Sequence, residues 1–433
     1  MENFDRRSFV KAGSLSLFGY LGWGDVLRLR ADTALPKPAS DSAREMSVIH
    51  FWLAGGISQI DSFDPKPEAD SKYRSPFKSI STSVPGIHIC EHLPELAKRM
   101  ERMVIIRSMT HKIASHPDAM TFMMTGQQPL ATIQMPSIQA IAAKELRSGN
   151  ELPASVSIPG ASGSWDRAGF LGPRFDPFSA GNPNQENYKV RDLDLPMGVD
   201  WARMDHRRNL LKLVDEKFRR MDKVGIAENM ESYYQTAIDL MRSEKAKKTF
   251  KIDEETDAVR ERYGRTSTGQ GALLARRLVE SGVRFVTVSR GLGAWDHHGN
   301  IFPQLANDYL GELDHAVSAL LDDLKDRSML GTTLVIITGE FGRTPEINAF
   351  QGRDHWPNVF SMVVAGGGIT GGRVLGESDK NGMFVKDNPV QVPDLLATIY
   401  KKLGIDYEKE YVSNIGRPVK IGANGAPIPF LLS

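Results

Sequence analysis

Short β-rich runs that alternate with helical patterns constrain this chain more than any other feature. The first, Ser47-Val48-Ile49-His50-Phe51-Trp52-Leu53, is closed by Ala54-Gly55-Gly56; others lie over 103–106, 283–288, 333–338 and 361–365, several of them ended by Gly, Ser, Asp or Glu. Near-continuous apolar runs of this length suit strands buried on both faces. Apolar residues at helical spacing fill the intervals 93–102, 135–147, 269–281, 303–325 and 392–403. The alternation predicts an α/β fold, a three-layer α/β/α sandwich with a mainly parallel sheet. Ligands of such sheets bind outside the carboxyl ends of the strands, which directs attention to the residues just beyond each run.

Two stretches break the alternation. The segment 162–201 is rich in Gly, Pro, Asn and Asp with Trp165, Phe170, Phe175 and Phe178 embedded, and 206–262 is strongly charged with apolar residues at helical spacing. Long loops are usually functional or disordered, and these aromatics favour an ordered covering loop. Together the two read as a loop and helical cap insertion over about 162–262, carried by a domain of 46–433. A length of 433 residues with 41% hydrophobic content exceeds what one compact core usually holds.

Ahead of that domain, Asp5-Arg6-Arg7-Ser8-Phe9-Val10-Lys11 precedes a Gly-rich, mildly apolar run. This is similar to a twin-arginine transport signal, here assigned to 1–34 and followed by a Pro/Ser/Ala linker at 35–45. An amphipathic helix is the plainer reading of the same residues, but Gly13, Gly19, Gly22 and Gly24 oppose it, each costing about 1 kcal/mol in a helix interior. No apolar run reaches the roughly 20 residues of a membrane span. The expectation is a protein handed folded to the twin-arginine translocase and delivered to the periplasm or the exterior, without a stable membrane span. A formal charge of +1 with scattered Lys and Arg gives no field for nucleic acid. The single cysteine, Cys90, rules out an intramolecular disulfide and reads as a packed small hydrophobe.

Polar clusters follow the runs. They are Gly55 to Pro67 with Asp61 and Asp64; Ser108-Met109-Thr110-His111 leading to Ser115-His116-Pro117-Asp118; Trp295-Asp296-His297-His298; and Gly339-Glu340-Phe341-Gly342-Arg343 with Arg353-Asp354-His355-Trp356. Carboxylates with imidazoles and no thiolate suit zinc, manganese or a similar divalent cation. In Asp-X-His both side chains can reach one ion, or the Asp can orient a neighbouring ring. Each Asp or His alone reads more plainly as a surface group or a hydrogen-bonded ring. The joint pattern favours metal or anion binding, since six of the ten histidines (His50, His111, His116, His297, His298, His355) fall at predicted strand ends or in these loops.

The segments Gly55-Gly56-Ile57-Ser58-Gln59-Ile60-Asp61-Ser62-Phe63-Asp64-Pro65, Trp295-Asp296-His297-His298, Gly339-Glu340-Phe341-Gly342-Arg343-Thr344-Pro345 and Gly352-Arg353-Asp354-His355-Trp356-Pro357 resemble the signatures of domain of unknown function family 1501, over about 48–405. That family is similar to the alkaline phosphatase and sulfatase superfamily. The resemblance implies an alkaline phosphatase-like fold and a hydrolase of phosphate or sulfate esters, on a phosphorylated or sulfated small molecule or glycan. It also puts Glu340 in the place of a metal-binding acid and Ser115 or His116 near that of the nucleophile. Phe341 takes the place of a second metal-binding residue and cannot ligate, and without a cysteine near Ser115 a formylglycine nucleophile is disfavoured.

The leading expectation is that Asp61, Asp296, His298, Glu340 and His355 gather one or two divalent ions, whether zinc, manganese or calcium. Arg343, His111 and His116 would contact the tetrahedral anion, with Asp354 orienting His355. The attacking group would be Ser115, Thr110, His116 or water on the metal. Asp64 reads equally as a turn-capping residue. The competing expectation is an exported binding protein of the same fold that has lost the chemistry and holds a glycan or anion on the Trp165 to Phe178 loop. A subunit of a larger complex with a structural metal is the third.

Overall fold

The computed structural model describes residues 45–146, 152–191, 193–195, 198–219 and 238–433. The expected signal region, nearly all of the linker and part of the insertion lie outside these residues.

Chain order among the principal elements runs β1 (Ser47–Trp52), β2 (Met103–Thr110), α1 (His116–Thr125), α2 (Ile138–Glu145), β3 (Ser155–Ile158), β4 (Phe178–Ser179), α3 (Ser267–Glu280), β5 (Phe285–Ser289), α4 (Leu310–Asp326), β6 (Thr333–Thr338), β7 (Phe360–Gly366), β8 (Arg373–Leu375), β9 (Val390–Gln391) and α5 (Val392–Lys402). The nine strands form one sheet in the order β8-β2-β7-β6-β1-β5-β3-β4, with β9 also paired to β2. β1 lies between β5 and β6, parallel to both, with Trp52 opposite Ser289 and Thr338. Only β7 runs against the rest. The sheet is therefore mainly parallel, as expected, and the ends of β1, β2, β5 and β6 share one edge.

Strand alternation sorts the core into two layers. Ile49 and Phe51 of β1 pack with Leu273 and Leu278 of α3 and with Leu313, Val317 and Leu320 of α4. Val48 and Trp52 face the other way, onto Met120, Met123 and Met124 of α1, Ile138 and Ile141 of α2, and Leu395 and Ile399 of α5. Helices thus cover both faces, the three-layer α/β/α sandwich read from the sequence. Cys90 is buried, and desolvation pushes its thiol up to about 12, so it packs as a neutral small side chain.

The expected helix over 303–325 is interrupted. A π-helical turn at Leu305–Tyr309 precedes α4 and sets the Tyr309 ring 5.1 Å from Trp295 and 4.6 Å from His297. The helix expected over 93–102 is reduced to Pro94–Ala97 and a 3-10 turn at Met100–Arg102. There Asp314 of α4 takes the first N–H groups, those of Glu95 and Leu96. Strands β3, β4, β8 and β9 escape the sequence pattern because they are two to four residues long.

Within 162–262 the chain supplies the edge strand β4 and packs Trp165 against Trp52, ring centroids 5.6 Å apart. Trp165 is buried and Phe170, Phe175 and Phe178 are half-buried. No helix among the described residues is long and apolar enough to cross a membrane.

Candidate metal centre

Four loops meet at the shared edge. The turn after β1 is tight because Gly55 holds φ +114, and a Cβ there would come within 2.4 Å of the Asp296 backbone nitrogen. This close approach brings the loop after β5, with Asp296 and His298, against the loop after β1. The loop after β2 enters α1 through Ser115 and His116; Pro117 near the helix start and Gly126 in the left-handed conformation bound the helix. A two-stranded ribbon pairs Gly342–Arg343 with His355–Trp356 just before β7. Its loop is pressed onto the His298 backbone at Gly352, where a Cβ would lie 2.1 Å from the His298 carbonyl.

His116, Asp296, His298 and His355 come together there, with one potential ligand atom from each within 4.8 Å of the others. The hydrogen bonds fix what each ring presents. His355 Nδ1 lies 2.7 Å from the Ala114 carbonyl, which can only accept, so Nδ1 carries the proton. His298 Nδ1 is 2.6 Å from Asp354 Oδ1, and His116 Nδ1 is 2.6 Å from Glu340 Oε1. In the neutral rings all three Nε2 lone pairs are left facing inward. His298 Nε2 and His355 Nε2 stand 2.9 Å apart and lie 3.0 and 3.2 Å from Asp296 Oδ1. His116 Nε2 lies 3.2 Å from Asp296 Oδ2, close enough for an ion pair when charged but not aligned for a hydrogen bond, and it has no other partner. Lone pairs this close repel unless a proton or a cation lies among them. Inward Nε2 atoms, each backed by an acceptor on Nδ1, are the arrangement that metal-binding histidines adopt.

Electrostatics follow from these contacts. Burial would raise the Asp296 carboxyl, but the hydrogen bond and charge of Arg343, with the neighbouring histidines, hold it at about 2. Burial lowers His116, yet the Glu340 hydrogen bond and the charges of Glu340 and Asp296 outweigh it and leave the ring above its ordinary value. His355 is lowered, chiefly by burial.

The remaining site residues named from the sequence occupy other positions. Glu340 stands behind His116: both its oxygens accept from the Gly55 N–H, at 2.8 and 3.0 Å. Asp354 meets His298 rather than His355, at 2.6 Å. Asp61 lies outside the cluster in a buried ion pair with Arg353, at 2.7 Å. Asp64 is buried, accepting from Ser378 and paired with Lys66 at 3.0 Å.

Arg343 is fully buried. Its Nε donates to Gly56 O at 3.1 Å, one terminal nitrogen to Arg353 O at 3.1 Å, and the other to Gly55 O, Trp295 O and Asp296. One N–H of the nitrogen bonded to Arg353 O is without an acceptor among these contacts, but the side chain has no exposed surface to offer a bound anion. His111 accepts from the Ile113 N–H at Nδ1, so its Nε2 donates to Glu340 O at 2.6 Å. His50 sits within β1, lowered by burial to about 3, and His297 is held at about 4 chiefly by burial. Ser115 is exposed beside His116, and its hydroxyl does not cap α1. The other Ser and Thr caps of described helices, Ser137, Ser243, Thr256 and Thr266, each accept a backbone N–H.

Sequence reasoning missed Asn348. Its Nδ2 donates to His298 O at 2.9 Å, and its Oδ1 accepts from Phe350 N and Gly352 N at 2.9 Å each. Only its place seven residues before His355 could have drawn attention to it.

Fold and site define an α/β/α protein with a three-imidazole, one-carboxylate cluster at the carboxyl edge of its sheet. The chain belongs to the family described as Protein of unknown function (DUF1501), whose model matches residues 45–432. No curated protein matches it. Among solved structures it is similar to a protein in the alkaline phosphatase superfamily from Vibrio parahaemolyticus (12% identity, 92% of this chain and 72% of that chain, TM-score 0.40). It is also similar to the PsFucS1 sulfatase from Pseudoalteromonas sp. (11%, 94% and 74%, TM-score 0.37) and to alkaline phosphatase from the Antarctic bacterium TAB5 (12%, 79% and 97%, TM-score 0.30).

Proposed function

We propose that this protein is an exported, metal-dependent hydrolase of phosphate or sulfate esters, in which His116, Asp296, His298 and His355 hold a divalent cation. The observation that carries the reading is the convergence of three imidazole Nε2 lone pairs on one carboxylate. The donor set suits zinc, manganese or a related transition ion better than calcium, which takes oxygen ligands. A cation bound there would polarise an ester oxygen and lower the pKa of an attacking hydroxyl.

The chain's own residues do the rest. Glu340, Asp354 and Ala114 hold the three rings in one tautomer. Asp296, kept ionised by Arg343, supplies the anionic ligand. Ser115 is the preferred attacking group because the residue is exposed, its hydroxyl caps no helix N–H, and it directly precedes the ligand His116 in the chain. The solvent-facing side of the cluster, where His298 is 45% exposed, favours an open site over a closed structural one. The competing reading, a glycan held on the Trp165 to Phe178 loop, loses support because Trp165 is buried against Trp52.

Turnover of p-nitrophenyl phosphate, bis-p-nitrophenyl phosphate and p-nitrophenyl sulfate by metal-loaded protein tests the activity. Hydrolysis lost in His298→Ala and in Ser115→Ala is the expected result; failure of the loaded protein on all three esters overturns it. Export is tested by Arg6→Lys with Arg7→Lys, which should leave the protein in the cytoplasm.

A further inference from the structure

We infer that the centre takes a single cation and acts on singly charged tetrahedral esters, a sulfate monoester or a phosphodiester, in preference to a doubly charged phosphate monoester. This rests on the hydrolase reading and deepens it. The argument begins with the donors left for a second ion. Glu340 is fully buried, with both oxygens taken by the Gly55 N–H and one also by His116. Asp354 Oδ1 is bound to His298, which leaves its exposed Oδ2 as one carboxylate oxygen, too few donors on its own to hold a second ion. His111 spends both ring nitrogens on backbone partners. Phe341 closes the inner wall, its ring 4.5 Å from that of His355 and 4.9 Å from that of His116. The positive charge nearest Asp296 on the protein side is already built in: Arg343 stands 2.6 Å from Asp296 Oδ1 and has no exposed surface.

Charge then selects the substrate. The groups hydrogen-bonded into the cluster are Asp296, Glu340 and Asp354, at −3 together, and Arg343 at +1, with neutral histidines. One divalent cation brings this sum of −2 to zero; two would bring it to +2. A centre at zero that receives a monoanion is left with one uncompensated negative charge, and with two if it receives a dianion. In a partly desolvated site each such charge is costly. A two-cation centre would match the dianion instead. Arg343 cannot tip the balance by gripping the anion, since its side chain has no exposed surface and all but one of its N–H groups go to Gly55, Gly56, Trp295, Arg353 and Asp296.

The experiment has two arms on the exported, full-length protein. Titration of the metal-free protein with zinc, and with cobalt followed by its visible spectrum, should saturate at one ion per chain; two overturns the inference without touching the hydrolase reading. The second arm compares kcat/KM, relative to the uncatalysed rate, for p-nitrophenyl sulfate, bis-p-nitrophenyl phosphate and p-nitrophenyl phosphate at saturating zinc. At least a tenfold advantage for one of the two monoanions is expected, and which one identifies the ester. An equal or greater advantage for the dianion overturns the inference while leaving a hydrolase. Turnover of none, with one ion bound, overturns the hydrolase reading and the substrate class with it. Glu340→Gln and the more exposed Asp354→Asn each add one positive charge to the sum. At saturating zinc, either variant that folds should move the monoanion-to-dianion ratio several-fold toward the dianion, and an unmoved ratio counts against the charge argument.

Discussion

Glu340 Oε1 lies 2.6 Å from His116 Nδ1, while both its oxygens accept the Gly55 N–H. A residue at the end of one strand thus ties the turn after a neighbouring strand to an imidazole at the start of a helix. The carboxylate sits behind the ring rather than in the cluster, so its influence on a bound ion is indirect. Removal of such an outer partner typically lowers metal affinity about 10- to 100-fold. Glu340→Gln, which keeps an acceptor but loses the charge, should fall at the low end. Calorimetric zinc titration should show that weaker binding with the stoichiometry unchanged.

Zinc affinity should rise with pH through a range that lies above the ordinary imidazole value of 6.5. His116 is held above that value, its burial outweighed by the Glu340 hydrogen bond and by Glu340 and Asp296. A cation at Nε2 must displace the proton, so binding is opposed below the raised pKa and unopposed above it. His355, pushed down by burial, adds nothing in this range. In Glu340→Gln the pH-dependent interval should move to lower pH, as seen in zinc affinities measured between pH 6 and 8.

How far the sequence carried can be judged from particular residues. Strand β6 was readable to its ends, because a six-residue apolar run ending in Thr-Gly has few other solutions. Asp296, His298 and His355 were readable as a group because each follows or flanks a strand on the same edge. The part assigned to Asp61 was not, because its spacing from β1 does not reveal that Arg353, 292 residues away in sequence, neutralises it. The exchange of Asp354 from His355 to His298 had the same cause. Sequence distance says nothing about how a ribbon folds back, and here Gly352 presses that ribbon onto the His298 carbonyl.

Asp166 should make the protein less stable as pH rises. Burial raises its carboxyl from 3.8 to about 7. Below about 4 the folded and unfolded chains are both protonated there. Between about 4 and 7 the folded state alone retains the proton, and above 7 both lose it, so stability falls through this window and stays low. A span of that size corresponds to about 4 kcal/mol at most. Asp166→Asn keeps an acceptor for Gln139, whose Nε2 also donates to Asp166 O at 2.9 Å. Urea unfolding at pH 4.5 and pH 8 should show a shallower loss in the variant than in the parent, with the variant the more stable at pH 8.

Asp61 and Arg353 form an ion pair with no solvent exposure on either side chain, 2.7 and 3.1 Å between their two nitrogen–oxygen contacts. Ser58 Oγ adds a hydrogen bond to the carboxylate at 2.5 Å, and the guanidinium also donates to the carbonyls of Thr344, Pro345 and Tyr73. Removing one partner of a buried pair leaves the other charge uncompensated, at a cost of about 3–5 kcal/mol. Asp61→Ala should therefore lose that much stability in chemical denaturation, with Asp61→Asn losing less because its amide oxygen can still accept from Arg353. The ion count separates this structural part from a ligand's part. Zinc bound per folded chain should be the same in Asp61→Asn as in the parent, whereas a drop would return Asp61 to the metal-binding set.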